Sequence, residues 1–249
     1  MNTTHTAIVL RRKDSGESDR RLTLLTEDAG KLTAVAKGAR KGNSRLSAVS
    51  EPLAYGRYTL APGKVNRFVT QAEPLASFRA LRQDFDRLAF ALGLAELYGV
   101  TLPEQSPDPE AFDLLRRSLQ ALERHSKPEV ALVWAETKLM EHTGFFPSLE
   151  TCVETGEPSL SESPWLSPQA GGLVCDAASI RYGDRFRAPF EAIRALARLP
   201  ELEEPPTNVK RVGEALLALA PFWRNIAEAS LPAHETAMNA MRQTLAQGT

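Results

Sequence analysis

Over residues 5 to 73 the apolar positions fall in runs of five to eight residues, rich in β-branched and aromatic types: Thr6 to Leu10, Arg21 to Thr26, Lys31 to Ala36, Leu53 to Leu60 and Val65 to Gln71. Runs of this length and composition, bounded by turn formers, predict five β-strands. Asp28-Ala29-Gly30 and Ala61-Pro62-Gly63 separate neighbouring runs by short stretches where glycine supplies a positive φ, so both connections read as hairpins. From Leu81 the apolar period lengthens from two to about 3.6 residues. Phe85, Leu88, Ala89, Leu92, Leu94, Ala95 and Tyr98 recur at helical spacing as far as a Pro-rich break between Leu102 and Pro109. Pro109 to Arg124 predicts a second helix with Phe112, Leu115, Leu119 and Leu122 as its stripe; Pro128 opens a third that ends before Gly144. Residues 145 to 186 break the helical pattern with Pro147, Gly156, Pro158, Pro164, Pro168 and Gly171-Gly172, leaving Leu173-Val174-Cys175 as a short strand. Helices then resume at Phe190 to Leu199, Asn208 to about Ala229, and from about His234.

Five antiparallel strands in about 75 residues bury one face and protect their edges best by closing into a small barrel, and the five-stranded OB-fold is the commonest such barrel that binds nucleic acid. The predicted architecture is therefore a multi-domain α+β chain: an OB-fold β-barrel over residues 1 to 80, an α-helical domain over 81 to 144 and 187 to 249, and a small zinc-finger-like insertion over 145 to 186.

Charge changes this picture most. The net charge is only −1, yet residues 1 to 80 hold 14 Lys or Arg against 7 Asp or Glu, and residues 81 to 249 hold 16 against 24. A basic barrel on an acidic remainder points to a polyanion-binding module attached to something with another task, and nucleic acid is the leading polyanion. The excess is densest in Lys37-Gly38-Ala39-Arg40-Lys41-Gly42-Asn43-Ser44-Arg45, within a stretch from Ala29 to Ser50 that has five cations and no acid. We read Lys37, Arg40, Lys41 and Arg45 as a binding loop after the third strand, against the plainer alternative of a solvated loop. Arg57, Lys64 and Arg67 extend the track, with Tyr55, Tyr58 and Phe68 as candidate stacking faces. No segment has the length and apolarity of a membrane span, and there is no basic amphipathic anchor, so neither a membrane partner nor a leader is expected and the cytoplasm is the default.

Chemistry is mostly absent. The nearest approach to a phosphate-binding loop, Gly56 to Val65, has six residues between its glycines and Val after the Lys, and fails on both counts. His5, His125, His142 and His234 are scattered in terminal or helix-end contexts where surface roles are expected. A thiol hydrolase on Cys152 would need a histidine close in space, and nothing recommends one. The two cysteines, Cys152 and Cys175, lie 23 positions apart. Each opens a C-x-x-C-like knuckle that lacks its second cysteine: Cys152 to Thr155, and Cys175 to Ala178. Four thiolates delivered by two such turns make a zinc site. A Zn2+ ion on Cys152 and Cys175, completed by His142, Glu154, Glu157 or Asp176, is one reading; a metal-free module packed on Trp165 and Leu173 is the other.

The order of parts resembles the RecO family of bacterial recombination mediators. The resemblance is carried by Asp19-Arg20-Arg21-Leu22-Thr23-Leu24-Leu25-Thr26 with Gly30, by Ala36-Lys37-Gly38-Ala39-Arg40 with Lys41 and Arg45, by Gly144-Phe145-Phe146-Pro147 before Cys152, and by Gly171-Gly172-Leu173-Val174-Cys175. It implies a non-catalytic DNA repair protein of the RecF pathway, cytoplasmic and nucleoid-associated. Such a protein binds single- and double-stranded DNA, anneals complementary strands, and acts with RecR and RecF to load RecA on strands coated by single-strand-binding protein. The competing reading is a protein-interaction scaffold that works through its acidic helical domain without touching DNA.

Overall fold

The computed structural model describes residues 1–158 and 161–247. Positions 159 and 160 of the expected insertion, and 248 and 249 of the expected helical domain, lie outside the described residues. The first strands are β1 (Thr3–Ser15), β2 (Asp19–Thr26) and β3 (Gly30–Ala36); a one-turn helix α1 (Leu46–Val49) precedes β4 (Tyr55–Pro62) and β5 (Arg67–Ala76). They close into a barrel in the order β1-β2-β3-β5-β4, with β4 returning to β1. All pairs are antiparallel except β3 and β5, which meet in parallel at Ala34 with Arg67 and Val35 with Phe68. This is the OB order, and closure leaves no free edge.

Alternation explains the interior. Ala7, Val9, Leu22, Leu24, Leu32, Ala34, Tyr58, Leu60 and Val69 point inward and form the barrel core. On the opposite face of the same strands Ile8 and Leu25 join the helical core instead, so Thr6 to Leu10 reads as an unbroken apolar run because both its faces are covered. A register shift between Val9 and Arg11 then adds one residue to β1. Without that bulge Arg11 and Lys13 would fall on the interior side; with it they point out.

The helices are α2 (Arg79–Gln83), α3 (Phe85–Thr101), α4 (Pro109–Arg124), α5 (Pro128–His142), α6 (Asp176–Ser179), α7 (Phe190–Arg198), α8 (Val212–Ala227) and α9 (Pro232–Gln247). Asp84 caps α3 by accepting from the Arg87 N–H at 2.9 Å, and Asp108 caps α4 through the Ala111 N–H at 2.9 Å, with Pro109 in the first turn. Central helix α5 is buried from Val130 to Thr137. Its Glu136, fully buried, accepts from the Trp223 Nε1–H of α8 at 2.8 Å and meets His234 Nε2 of α9 at 3.1 Å. Glu96 of α3 accepts from the Ala233 and His234 N–H groups, both at 2.9 Å. His234 is thus an interior residue joining three helices, and His5 is also buried, at the barrel end; the surface roles expected of them do not hold. Between α5 and α7, strands β6 (Trp165–Ser167), β7 (Gly172–Val174) and β8 (Phe186–Arg187) form a small sheet in the order β7-β6-β8.

Barrel and helices share a continuous core through Ile8, Leu25, Leu53 and Phe78, packed on Phe90, Leu94 and Phe112. A polar clamp fixes the joint. Lys31, buried at 8% exposure, donates from Nζ to the Gly99 carbonyl at 2.6 Å and faces Glu104 at 3.6 Å, while the Gln105 N–H donates to the Lys31 carbonyl at 2.9 Å. Lys31 is therefore withdrawn from the basic stretch in which its sequence places it. Beside it, Gly30 has φ +70°, and a Cβ there would lie 2.0 Å from the Ser106 carbonyl oxygen. Gly30→Ala is expected to cost about 2–3 kcal/mol through overpacking and the left-handed backbone, read as a lowered urea midpoint; an unchanged midpoint would mean that the Pro-rich segment does not bear on β3.

Candidate nucleic-acid interface

The β1–β2 hairpin and the loop after β3 are built as one unit, and the sequence Asp19-Arg20-Arg21 divides the work. Asp19 accepts from the Gly38 N–H at 2.8 Å. Gly38 sits at φ +64°, a conformation that favours glycine. The Gly38 hydrogen bond holds the Asp19 carboxyl below its ordinary 3.8; partial burial opposes this, and the Ser18 hydroxyl and the Lys37 and Lys41 ammonium groups add to it. Arg20 turns inward at 8% exposure, where its guanidinium meets Glu51 at 2.9 Å, the Ser47 carbonyl at 2.9 Å and Ser50 Oγ at 2.8 Å. Arg12 reaches the same Glu51 at 3.1 Å. Between these two anchors Ala39 plugs into the barrel core, and the Arg40 N–H donates to the Ser18 carbonyl at 2.9 Å. The loop is therefore a fixed platform.

Arg21, the third member, points outward. Its cross-strand neighbours are Lys13 on β1 and Val35 on β3, and Val35 pairs in turn with Phe68 on β5. Lys13, Arg21, Val35 and Phe68 thus form one row across the outer face. The Lys37 ammonium lies 4.4 Å from the centre of the half-buried Phe68 ring. The β4–β5 turn folds back over the same ring: a Cβ on Gly63 would stand 2.6 Å from it, and Asn66 Oδ1 approaches Arg21 Nη2 at 3.4 Å. This brings the exposed Lys64 to the edge of the row. Among the described residues Lys13, Arg21, Lys37, Lys41, Arg45 and Lys64 have no carboxylate partner. Arg40 differs: it meets Asp14 at 3.5 Å and the Gly16 carbonyl at 3.3 Å, so it also latches the loop to the hairpin.

Two predicted residues lie elsewhere. Arg57 on β4 has Thr6 and Glu73 as cross-strand neighbours. Thr6 precedes Lys13 by seven positions along β1, about 23 Å at a strand rise of about 3.3 Å, and the helix-covered Ile8 lies between. Arg67 donates to Gln105 Oε1 at 3.1 Å and lines an open groove with His5 and Asp28 at the barrel end. Of the candidate stacking aromatics, Tyr58 is core, donating to the Val49 carbonyl at 2.7 Å, and Tyr55 stacks on Phe78 at 6.3 Å under the helices. Only Phe68 faces the cations. Lys13 was missed by sequence reasoning because its facing depends on the β1 bulge; for Arg21 the alternation against inward Leu22 and Leu24 was the available signal.

The insertion brings its cysteines together: the Cys175 N–H points at Cys152 Sγ at 3.1 Å. The remaining donors do not complete a zinc site. Thr155 and Ala178 occupy the second knuckle positions. Glu154 is engaged by Arg181 at 3.1 Å and by the Tyr182 hydroxyl, Asp176 by Trp165 Nε1 at 2.9 Å, and His142 by Asp108 at 2.7 Å. Among the described residues no three His, Cys, Asp or Glu side chains converge on one point.

A closed OB-type barrel with a cationic outer face, carried on a helical domain, defines the class of architecture. Residues 1–78 match the family model described as Recombination protein O N terminal, and residues 82–219 the one described as Recombination protein O C terminal. The chain is 38% identical over 215 residues to the DNA repair protein RecO of Heliobacterium modesticaldum, covering 85% of this chain and 78% of that protein. It is 30% identical over 220 residues to the DNA repair protein RecO of Bacillus pumilus, with 84% of each covered, and 34% identical over 213 residues to that of Dehalococcoides mccartyi, with 85% and 83% covered. The chain belongs to the recombination protein O (RecO) family.

The Asp19 bond has a pH signature. Because the native carboxyl ionises below 3.8, its stabilisation is complete above that pH and is lost as pH falls through the lowered native value. Asp19→Ala should speed Gly38 amide exchange roughly tenfold, through the loss of one hydrogen bond, without moving the Leu24 amide. Equal acceleration at both sites would show that the barrel, not the loop, depends on Asp19.

Proposed function

We propose that this protein is a non-catalytic recombination mediator in DNA repair that binds single- and double-stranded DNA on the outer barrel face around Phe68. The observation that carries this reading is the row Lys13, Arg21, Val35, Phe68 with unpaired Lys37, Lys41, Arg45 and Lys64 around it. Membership of a family whose curated members are named DNA repair protein RecO supports the repair role. Unpaired cations neutralise phosphates and release counterions, and the half-buried Phe68 beside them offers a base a stacking surface. Held on a rigid platform, the same cations lower the repulsion between two phosphate backbones, which favours annealing of complementary strands. By family, the protein acts with RecR and RecF to load RecA on DNA coated by single-strand-binding protein. No step of this requires nucleotide hydrolysis, in keeping with a sequence lacking a phosphate-binding loop. Within the chain, residues 1 to 80 form the DNA-binding unit, and the helical domain and insertion support it and meet partners. Among the described residues no helix is long and apolar enough to cross a membrane; we place the protein in the cytoplasm, at the nucleoid.

The scaffold reading is weaker because many helical-domain acids are already neutralised: Asp113 by Arg116 at 2.5 Å and Arg117 at 3.1 Å, Glu141 by Lys138 at 3.4 Å, and Glu191 by Lys210 at 3.8 Å and Arg211 at 3.7 Å. Fluorescence anisotropy with a random single-stranded oligonucleotide separates the two. If Lys13, Arg21, Lys37, Lys41, Arg45 and Lys64 each meet a phosphate, log K falls with log salt at a slope of about −4, at roughly −0.7 per contact. Lys37→Glu with Lys41→Glu should flatten that slope and abolish annealing, while Arg57→Glu changes both little. Phe68→Ala should weaken single-strand binding by about 1–3 kcal/mol and leave duplex binding near wild type. A salt-insensitive complex, or none, would support the scaffold.

A further inference from the structure

The insertion retains the geometry of two knuckles without the donors of a zinc site, and this leaves its thiols for other chemistry. Both cysteines are free. The Cys152 turn is closed by its own bonds, the Cys152 N–H to the Glu157 carbonyl and the Gly156 N–H to the Cys152 carbonyl, both at 2.8 Å, and is tied to the segment before Cys175 by the Val153 N–H, which donates to the Leu173 carbonyl at 2.8 Å. The Cys175 N–H lies 3.1 Å from Cys152 Sγ, so the backbone of one cysteine sits directly against the sulfur of the other, the close approach that a disulfide requires. Exposure distinguishes them. Cys152 is 2% exposed, whereas Cys175 is only partly covered.

We propose that Cys152 and Cys175 form a metal-free thiol pair that peroxide closes to an intramolecular disulfide, a modification site in the insertion. The accessible Cys175, as thiolate, attacks one oxygen of the peroxide; the O–O bond breaks, the sulfur becomes a sulfenic acid, and the departing hydroxide takes a proton to leave as water. Cys152 thiolate then attacks that sulfur, the S–S bond forms, and a second hydroxide leaves as water. Two thiols and one hydrogen peroxide give one disulfide and two waters, with the peroxide reduced and the sulfurs oxidised. Cys152 suits the second step by position: its sulfur is buried against the Cys175 backbone, 3.1 Å from the Cys175 N–H, so it lies beside the oxidised residue and away from bulk peroxide. The bridge closes a loop across the insertion, joining the Cys152 turn to the segment after β7.

The test treats the full chain with hydrogen peroxide, alkylates it, and maps peptides by mass. The expected result is loss of both alkylatable thiols, a Cys152–Cys175 linked peptide lacking two hydrogen atoms and carrying no added oxygen, and full recovery with a dithiol. Cys152→Ser should instead accumulate oxygen adducts on Cys175, and Cys175→Ser should leave Cys152 alkylatable after unfolding. Oxygen adducts on wild-type Cys175 with Cys152 still alkylatable, or a link between two chains, would overturn the pairing. In a parallel arm the reduced chain is incubated with zinc chloride and gel-filtered. Failure to retain zinc fits a metal-free pair; one zinc per chain would overturn it.

Discussion

A loop with four cations in nine residues repels itself, and something must hold it in one shape before it can hold anything else. That role falls to the Asp19 carboxylate on the Gly38 N–H at 2.8 Å and to Arg20 buried against Glu51 at 2.9 Å. The first brings negative charge to the base of the loop without neutralising its outer cations. The second places a guanidinium in the interior with carboxylate, carbonyl and hydroxyl partners, the condition under which a buried charge is tolerated. Together they let Lys37, Lys41 and Arg45 stay exposed and unpaired on a platform that loses little entropy when an anion arrives.

The same economy runs through the barrel. β1 serves three surfaces in turn: Ala7 and Val9 fill the interior, Ile8 seats the helices, and after the bulge Arg11 and Lys13 face solvent. One extra residue makes the change from packing to cation display. Helix docking is then fixed by Lys31 and by the close approach of Ser106 to Gly30, so the outer face is presented on a single body with a shared core.

Much of this was legible in the sequence where one local rule decided the outcome. Short runs rich in β-branched and aromatic residues mark all five strands, and Pro109 to Arg124 is legible at both ends because a first-turn proline and an amphipathic stripe agree there. The basic loop was legible because a solvated surface normally mixes signs. What escaped was set by non-local geometry. Lys31 looked like part of the charge run but reaches a carbonyl 68 positions away. Arg57 shares the barrel but lies beyond the patch covered by the helices. Lys13 depends on a bulge that no composition rule announces, and His234 is buried because helices distant in sequence converge on it. The short strands β6 and β8 were too brief to carry a period at all.

In the proposed complex DNA lies across the outer face centred on Phe68. Hydrogen–deuterium exchange of the full chain, with and without a single-stranded oligonucleotide at low salt, tests it most directly. Protection is expected in residues 11 to 21, 37 to 45 and 63 to 68, with the stretch around Arg57 unchanged. Protection confined to the helices, with these three segments unaltered, would contradict it.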